Sequence, residues 1–79
     1  MDTIEEFTRK LEQEFDEIEP GSLNPETNYR DIKNWSSMYA LIIIAFADAN
    51  YDVMLNAADL KSTETIKDLF QAVIAKKQN

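Results

Sequence analysis

The stretch from Trp35 to Tyr51 reads WSSMYALIIIAFADANY, and from Met38 to Ala47 it is uninterruptedly apolar or aromatic. That run is about half of the roughly 20 residues needed to cross a bilayer, so it predicts a buried helix or a helix that offers surface to a partner. Strand readings are disfavoured because the whole chain holds one Gly and two Pro, too few breakers for a domain built on tight turns. The second helix is therefore expected from about Ser37 to Asn50, at the centre of a small all-α domain.

Working outward, Ile4, Phe7, Leu11, Phe15 and Ile18 are spaced three and four apart, and Thr3 with Glu6 has the capping-box spacing. These predict a first helix over Thr3 to Asp16, with Glu5, Glu12, Glu17, Arg9 and Lys10 on a solvated face. Pro20 and Gly21 stop it, and Ser22 to Asn28 reads as a long loop anchored by Leu23 and Tyr29. A short turn is expected over Arg30 to Lys33, ahead of Asn34. Beyond the central helix, a polar segment carries the alternating apolar residues Tyr51, Val53 and Leu55, and Asn56 is a candidate N-cap for a short helix through Ala57, Ala58, Asp59 and Leu60. Thr65 with Asp68 opens the last helix, whose stripe is Ile66, Leu69, Phe70, Val73 and Ile74, with Lys76 and Lys77 placed to complement its dipole. The expected architecture is a four-helix bundle with three longer helices, one short helix and a long first loop.

The chain has 79 residues, which fits one domain over 1–79. It has no Cys and no His, so it lacks thiolate and imidazole ligands and any side chain that titrates near neutrality without perturbation. Nucleophilic catalysis is disfavoured, and the chain is not expected to be an enzyme. Fifteen acidic against eight basic residues give a formal charge of -7, which repels nucleic acid and anionic membrane and suits basic partners. The N-terminal segment is charged and amphipathic, unlike a secretory leader. A cytoplasmic monomer without membrane insertion is expected.

Chemistry concentrates at the head of the central helix. Ser36 is placed as its N-cap, with the side-chain oxygen accepting from an N–H two or three residues on, and Ser37 falls in the first turn. The segment from Trp35 to Tyr51 resembles the second helix of acyl carrier proteins, in particular a branch whose attachment motif reads Trp-Asp-Ser-Leu or Trp-Asp-Ser-Met. Trp35, Ser37, Met38, Leu41, Asp48 and Tyr51 match that pattern, and Phe7, Leu11, Leu60, Thr65 and Ile66 extend it over most of the chain. The residue before the serine departs from it, being Ser36 where the family carries Asp. The resemblance implies a four-helix bundle of acyl-carrier type and a covalent 4'-phosphopantetheine on Ser37. The arm's thiol would carry acyl intermediates as thioesters between partner enzymes of fatty-acid or polyketide-type synthesis. The implied partners are a phosphopantetheinyl transferase and acyl-transferring or condensing enzymes. With no His beside it, Ser37 has to be modified by an enzyme in trans, and the resulting phosphodiester suits a helix N-terminus. Asp31 to Asn34 read DIKN, without the Gly-Gly lead-in of peptidyl carriers, which favours acyl cargo.

On a helical wheel Met38, Ile42, Ala45 and Ala49 share one sector, while Leu41, Ile44, Ala47 and Tyr51 fall in another. The resemblance assigns the second set to the core. It also implies an acidic docking surface, yet Asp48 is the only acidic residue between Met38 and Asn50. A partner is therefore expected to meet Trp35, Ser36, Met38, Ile42, Ala45, Asp48 and Ala49 through largely apolar contact, with affinity only weakly dependent on salt. The alternative is an unmodified helical adaptor that uses the same apolar helix. Asp48, Asn50, Asp52, Asn56 and Asp59 have the offsets of a calcium loop, but Val53 stands where the turn needs Gly and Asp59 where a bidentate Glu is usual, so no metal site is expected.

Overall fold

Capping chemistry starts the first helix where the sequence predicts it. Glu6 N–H donates to Thr3 Oγ1 at 3.2 Å and Thr3 N–H to Glu6 Oε1 at 2.9 Å, so two otherwise orphaned donors are satisfied reciprocally. The computed structural model describes residues 2–32 and 35–77 and contains α1 (Ile4–Glu12), a 3₁₀ turn (Tyr29–Asp31), α2 (Ser37–Tyr51), α3 (Ala57–Lys61) and α4 (Ile66–Lys77). It is an all-α fold. Apart from one isolated antiparallel bridge between Asn28 and Thr65, no β-structure occurs among the described residues. No helix among them is long and apolar enough to cross a membrane. The turn expected over Arg30 to Lys33 is the 3₁₀ turn, displaced by one residue; Lys33 and Asn34 lie outside the described residues.

α1 ends four residues earlier than the expected Asp16. Past Glu12 the chain tightens into turns closed three residues back, with Glu14 N–H on Leu11 O, Phe15 N–H on Glu12 O and Ile18 N–H on Phe15 O, each at 3.0 to 3.1 Å. Phe15 still buries and Ile18 half-buries, so apolar spacing alone did not mark the end of the helix.

Glu12 overturns its assignment to the solvated face. Its carboxylate is only 3% exposed and accepts from Gly21 N–H at 3.0 Å, Leu23 N–H at 2.8 Å and Arg9 Nη1 at 2.7 Å. Burial alone would raise its pKa. The Leu23 N–H, the Arg9 guanidinium and the Gly21 N–H outweigh that and hold it below the ordinary glutamate range. Gly21 has φ +89°, a left-handed conformation that favours glycine and turns its N–H back onto α1.

The core lies between α1, α2 and α4. Phe7 sits at its centre, with ring centroids 5.2 to 5.6 Å from Phe70, Phe46 and Tyr51, and Leu11, Ile43, Ile66, Leu69 and Val73 close around it. The predicted alternation after α2 holds, because Tyr51, Val53 and Leu55 are buried while Met54 is 67% exposed. An αL residue, Asp52 at φ 55°, ends α2.

Asn56 and Asp59 form a reciprocal capping box on α3, and Thr65 with Asp68 caps α4 as its spacing predicts. Lys76 and Lys77 fall in the last turn of α4 as expected, and both also reach to neighbouring elements. Lys76 pairs with Asp59 at 3.2 Å, and Lys77 Nζ donates to Tyr51 O at 2.9 Å.

Leu23 and Tyr29 anchor the long loop, both buried as expected. The Tyr29 hydroxyl lies 2.8 Å from Leu60 O, 2.9 Å from Thr63 O and 2.7 Å from Thr63 Oγ1. Backbone bonds from Tyr29 N–H to Glu64 O, Ile66 N–H to Thr27 O and Lys67 N–H to Pro25 O lash the same loop to the α3–α4 junction. This ties down the segment that leads into α2.

Candidate functional site

The head of α2 sits between the anchored loop and α3. Trp35 is half-buried, with its ring 5.5 Å from Tyr29 and 5.8 Å from Tyr39. Ser36 occupies the N-cap in extended conformation (φ -151°, ψ 174°), but its side chain makes no capping hydrogen bond, which differs from the expected N-cap contact. Its carbonyl accepts the first bonds of the helix, from Tyr39 N–H at 3.0 Å and Ala40 N–H at 3.4 Å. Ser37 is the first helical residue and is exposed. The two serines thus divide as expected by position, one outside the helix and one inside its first turn.

Farther along α2, Ile43, Phe46, Ala47 and Tyr51 face the core, and Ser37, Met38, Leu41, Ala45, Asp48 and Ala49 face solvent. At 100° per residue the exposed set spans about 120°. Met38, Ala45, Asp48 and Ala49 therefore lie where partner contact was expected. Leu41 does not lie in the core as expected; it is 65% exposed, as much as Met38. Ile42 and Ile44 are half-buried and pack against the edges of the core. The physical reason is Phe46, which packs edge-to-face on Phe7 with ring centroids 5.5 Å apart and points the Ile43–Phe46 side of the helix inward. The apolar strip on the surface is thus Met38, Leu41, Ala45 and Ala49, rotated away from Ile42.

Two clefts flank this strip. One, of about 280 Å³, runs between α2 and the turns after α1 and is lined by Glu14, Ile42, Ala45, Phe46 and Ala49. On the same side the Tyr39 hydroxyl donates to Glu17 at 2.7 Å, a bond that, with burial, raises the phenol's pKa. The other cleft, of about 300 Å³, opens between the 3₁₀ turn, the head of α2 and α3, and is lined by Arg30, Trp35, Ala40, Ala57, Leu60 and Lys61. Leu41 and this basic-rimmed cleft were missed at the sequence level. An all-round apolar helix gives no direction to Leu41, and Arg30 and Lys61 stand 31 residues apart in the chain.

The calcium-like spacing is used otherwise. Asn50 Nδ2 donates to Phe46 O at 3.1 Å, Asn56 and Asp59 spend their side chains on the α3 cap, and Asp59 also meets Lys76. No group of three or more His, Cys, Asp or Glu suited to a metal ion occurs among the described residues.

The exposed strip carries a prediction. Leu41→Glu is expected to leave the fold within about 0.5 kcal/mol of wild type, as for other surface changes. Ile42→Glu, placed at the core edge, is expected to cost more stability. Chemical denaturation of both variants checks this, and a Leu41→Glu protein destabilised as much as Ile42→Glu shows that Leu41 packs against the core after all.

No protein-family model, no curated protein and no solved structure matches the chain, so its functional reading rests on these residues and their geometry.

Proposed function

We propose that this chain is an acyl carrier, a non-enzymatic protein that receives 4'-phosphopantetheine on Ser37 and presents acyl groups as thioesters to successive enzymes. The observation that carries the reading is the exposed Ser37 in the first turn of α2, beside an N-cap residue whose side chain leaves the helix end uncapped. A phosphodiester there meets the positive end of the helix dipole, worth up to about 1 kcal/mol.

The chain has no His to deprotonate the serine, so the transferase supplies the base. The Ser37 oxygen forms a bond to phosphorus as the pyrophosphate bond of coenzyme A breaks. The departing nucleotide takes the electron pair, and the serine proton passes to the transferase's base.

The exposed strip of Met38, Leu41, Ala45 and Ala49 is equally what an unmodified adaptor would present, which is the second reading. Intact mass after incubation with a broad-specificity phosphopantetheinyl transferase and coenzyme A separates the two. A gain of one phosphopantetheinyl group supports the carrier; an unchanged mass favours the adaptor.

Ser36 offers a graded test of the same site. Asp and Ser are comparable N-caps, but Asp adds charge against the helix N-terminus and offers an anion to a basic enzyme. Ser36→Asp is therefore expected to leave the fold intact, raise stability by up to about 1 kcal/mol and speed modification. An unchanged or slower rate in a stopped time course shows that this chain does without the acid.

A further inference from the structure

We infer that the cleft at the head of α2 selects cargo whose far end is a carboxylate, with Lys61 and Arg30 as the specificity-determining residues. This rests on the carrier reading. The cleft's walls are the Trp35 ring, Ala40, Ala57 and Leu60, and its charged lining is Arg30 and Lys61 alone. That placement runs against the composition. The chain holds 15 acids against 8 bases, and three other surface clefts each include at least one carboxylate, from Glu12 and Asp16, from Glu17 and Glu19, or from Glu14. An apolar trough with cations and no acid in its lining is complementary to an amphipathic anion, not to a plain hydrocarbon tail.

One of the two cations is also held in place. Arg30 Nη2 donates to Leu60 O and Thr63 O, and its guanidinium lies 5.6 Å from the Tyr29 ring centroid, so the charge is fixed at the edge of the cleft. Lys61 is in the last turn of α3 and exposed. Neither makes an ion pair among the described residues. Ala40 lies one turn beyond Ser37 on the same side of α2, so an arm rooted at Ser37 starts next to the cleft. The volume of about 300 Å³ is at the small end of ligand sites.

The test loads the protein, through the transferase, with arms carrying hydrolysis-resistant amide analogues of two six-carbon acyl groups, adipoyl and hexanoyl, and with the bare arm. Trp35, the only tryptophan, reports on the cleft by its emission, and the melting temperature reports on docking. The adipoyl form is expected to shift Trp35 emission to shorter wavelength and to melt higher than the hexanoyl form. Both differences should shrink in Lys61→Gln and in 0.5 M salt, with the salt arm acting by roughly 4 Å screening at that ionic strength. Indistinguishable adipoyl and hexanoyl forms overturn the inference, as does a difference that survives Lys61→Gln. A full shift from the bare arm assigns the cations to the arm's own phosphate and overturns it too. Failure to load any arm is a different outcome, visible as an unchanged mass, and overturns the carrier reading together with the inference built on it.

Discussion

Replacing Ser37 with Ala is expected to abolish the gain of one phosphopantetheinyl group outright, while Ser36→Ala still accepts it. The effect is all or none because a methyl group has no oxygen to form the bond to phosphorus. The fold should not change, since Ser37 is exposed and Ala is well tolerated in a helix. Ser36→Ala removes no side-chain cap, because none is made, so its stability cost should fall below the usual 1 kcal/mol or so for losing an N-cap. Intact mass and circular dichroism on both variants check this. The opposite pattern, with Ser36 essential and Ser37 dispensable, moves the attachment point one residue out of the helix.

The largest stability effect is expected at Glu12. Glu12→Ala removes the acceptor for Gly21 N–H, Leu23 N–H and Arg9 at once. Leu23 is buried, so its orphaned N–H cannot turn to water without opening the loop. The cost is expected at about 2–4 kcal/mol, against a total of only about 5–15 kcal/mol for a typical small domain. Glu12→Gln keeps the shape and one acceptor oxygen and should cost less. The pH dependence has a fixed sign. Because the folded-state pKa is lowered, the stabilisation is fully present above the ordinary glutamate value of 4.5 and is lost as pH falls through the folded pKa. Asp2, bonded to Lys10 and Tyr51, and Asp68, accepting from Glu64 and Thr65 N–H, are lowered too and weaken in the same acid range. Subtracting the urea-derived stability of Glu12→Gln from that of wild type between pH 7 and pH 3 isolates Glu12. A difference that stays flat across that range shows that the carboxylate's charge does not hold the loop.

Local chemistry was legible in the sequence where it is local in space. The Thr3–Glu6 and Asn56–Asp59 boxes and the Thr65–Asp68 cap each need only residues three apart, and each forms. The end of α1 was not legible, since turns closed every three residues keep Phe15 and Ile18 near the core side much as a helix would. Glu12 read as solvent-facing because nothing on its own helix reveals that Gly21 and Leu23 return to it. The start of α2 at Ser36 and Ser37 was legible from their place before an apolar run, whereas the direction of that run was not. Leu41 and Ile43 are both aliphatic, and only the packing of Phe46 on Phe7 turns one outward and the other inward. Arg30 and Lys61 become neighbours of one cleft only when the long loop is lashed to the α3–α4 junction.

That lashing sets a timetable for the protein's birth. Tyr29 finds its partners 31 and 34 residues later, at Leu60 and Thr63, and Lys67 closes onto Pro25 later still. A ribosome adding about 5–20 residues per second needs about 2–7 s to go from residue 30 to residue 67. Throughout that interval Tyr29 lacks its bonds, and Phe7 and Leu11 wait for the α4 residues that cover them. The apolar run from Met38 to Ala47 is made in the middle of the wait, before the α4 residues that complete the core exist. Ten acidic against three basic residues precede Ile32, so the unfinished chain already carries a self-repelling charge before that run is made.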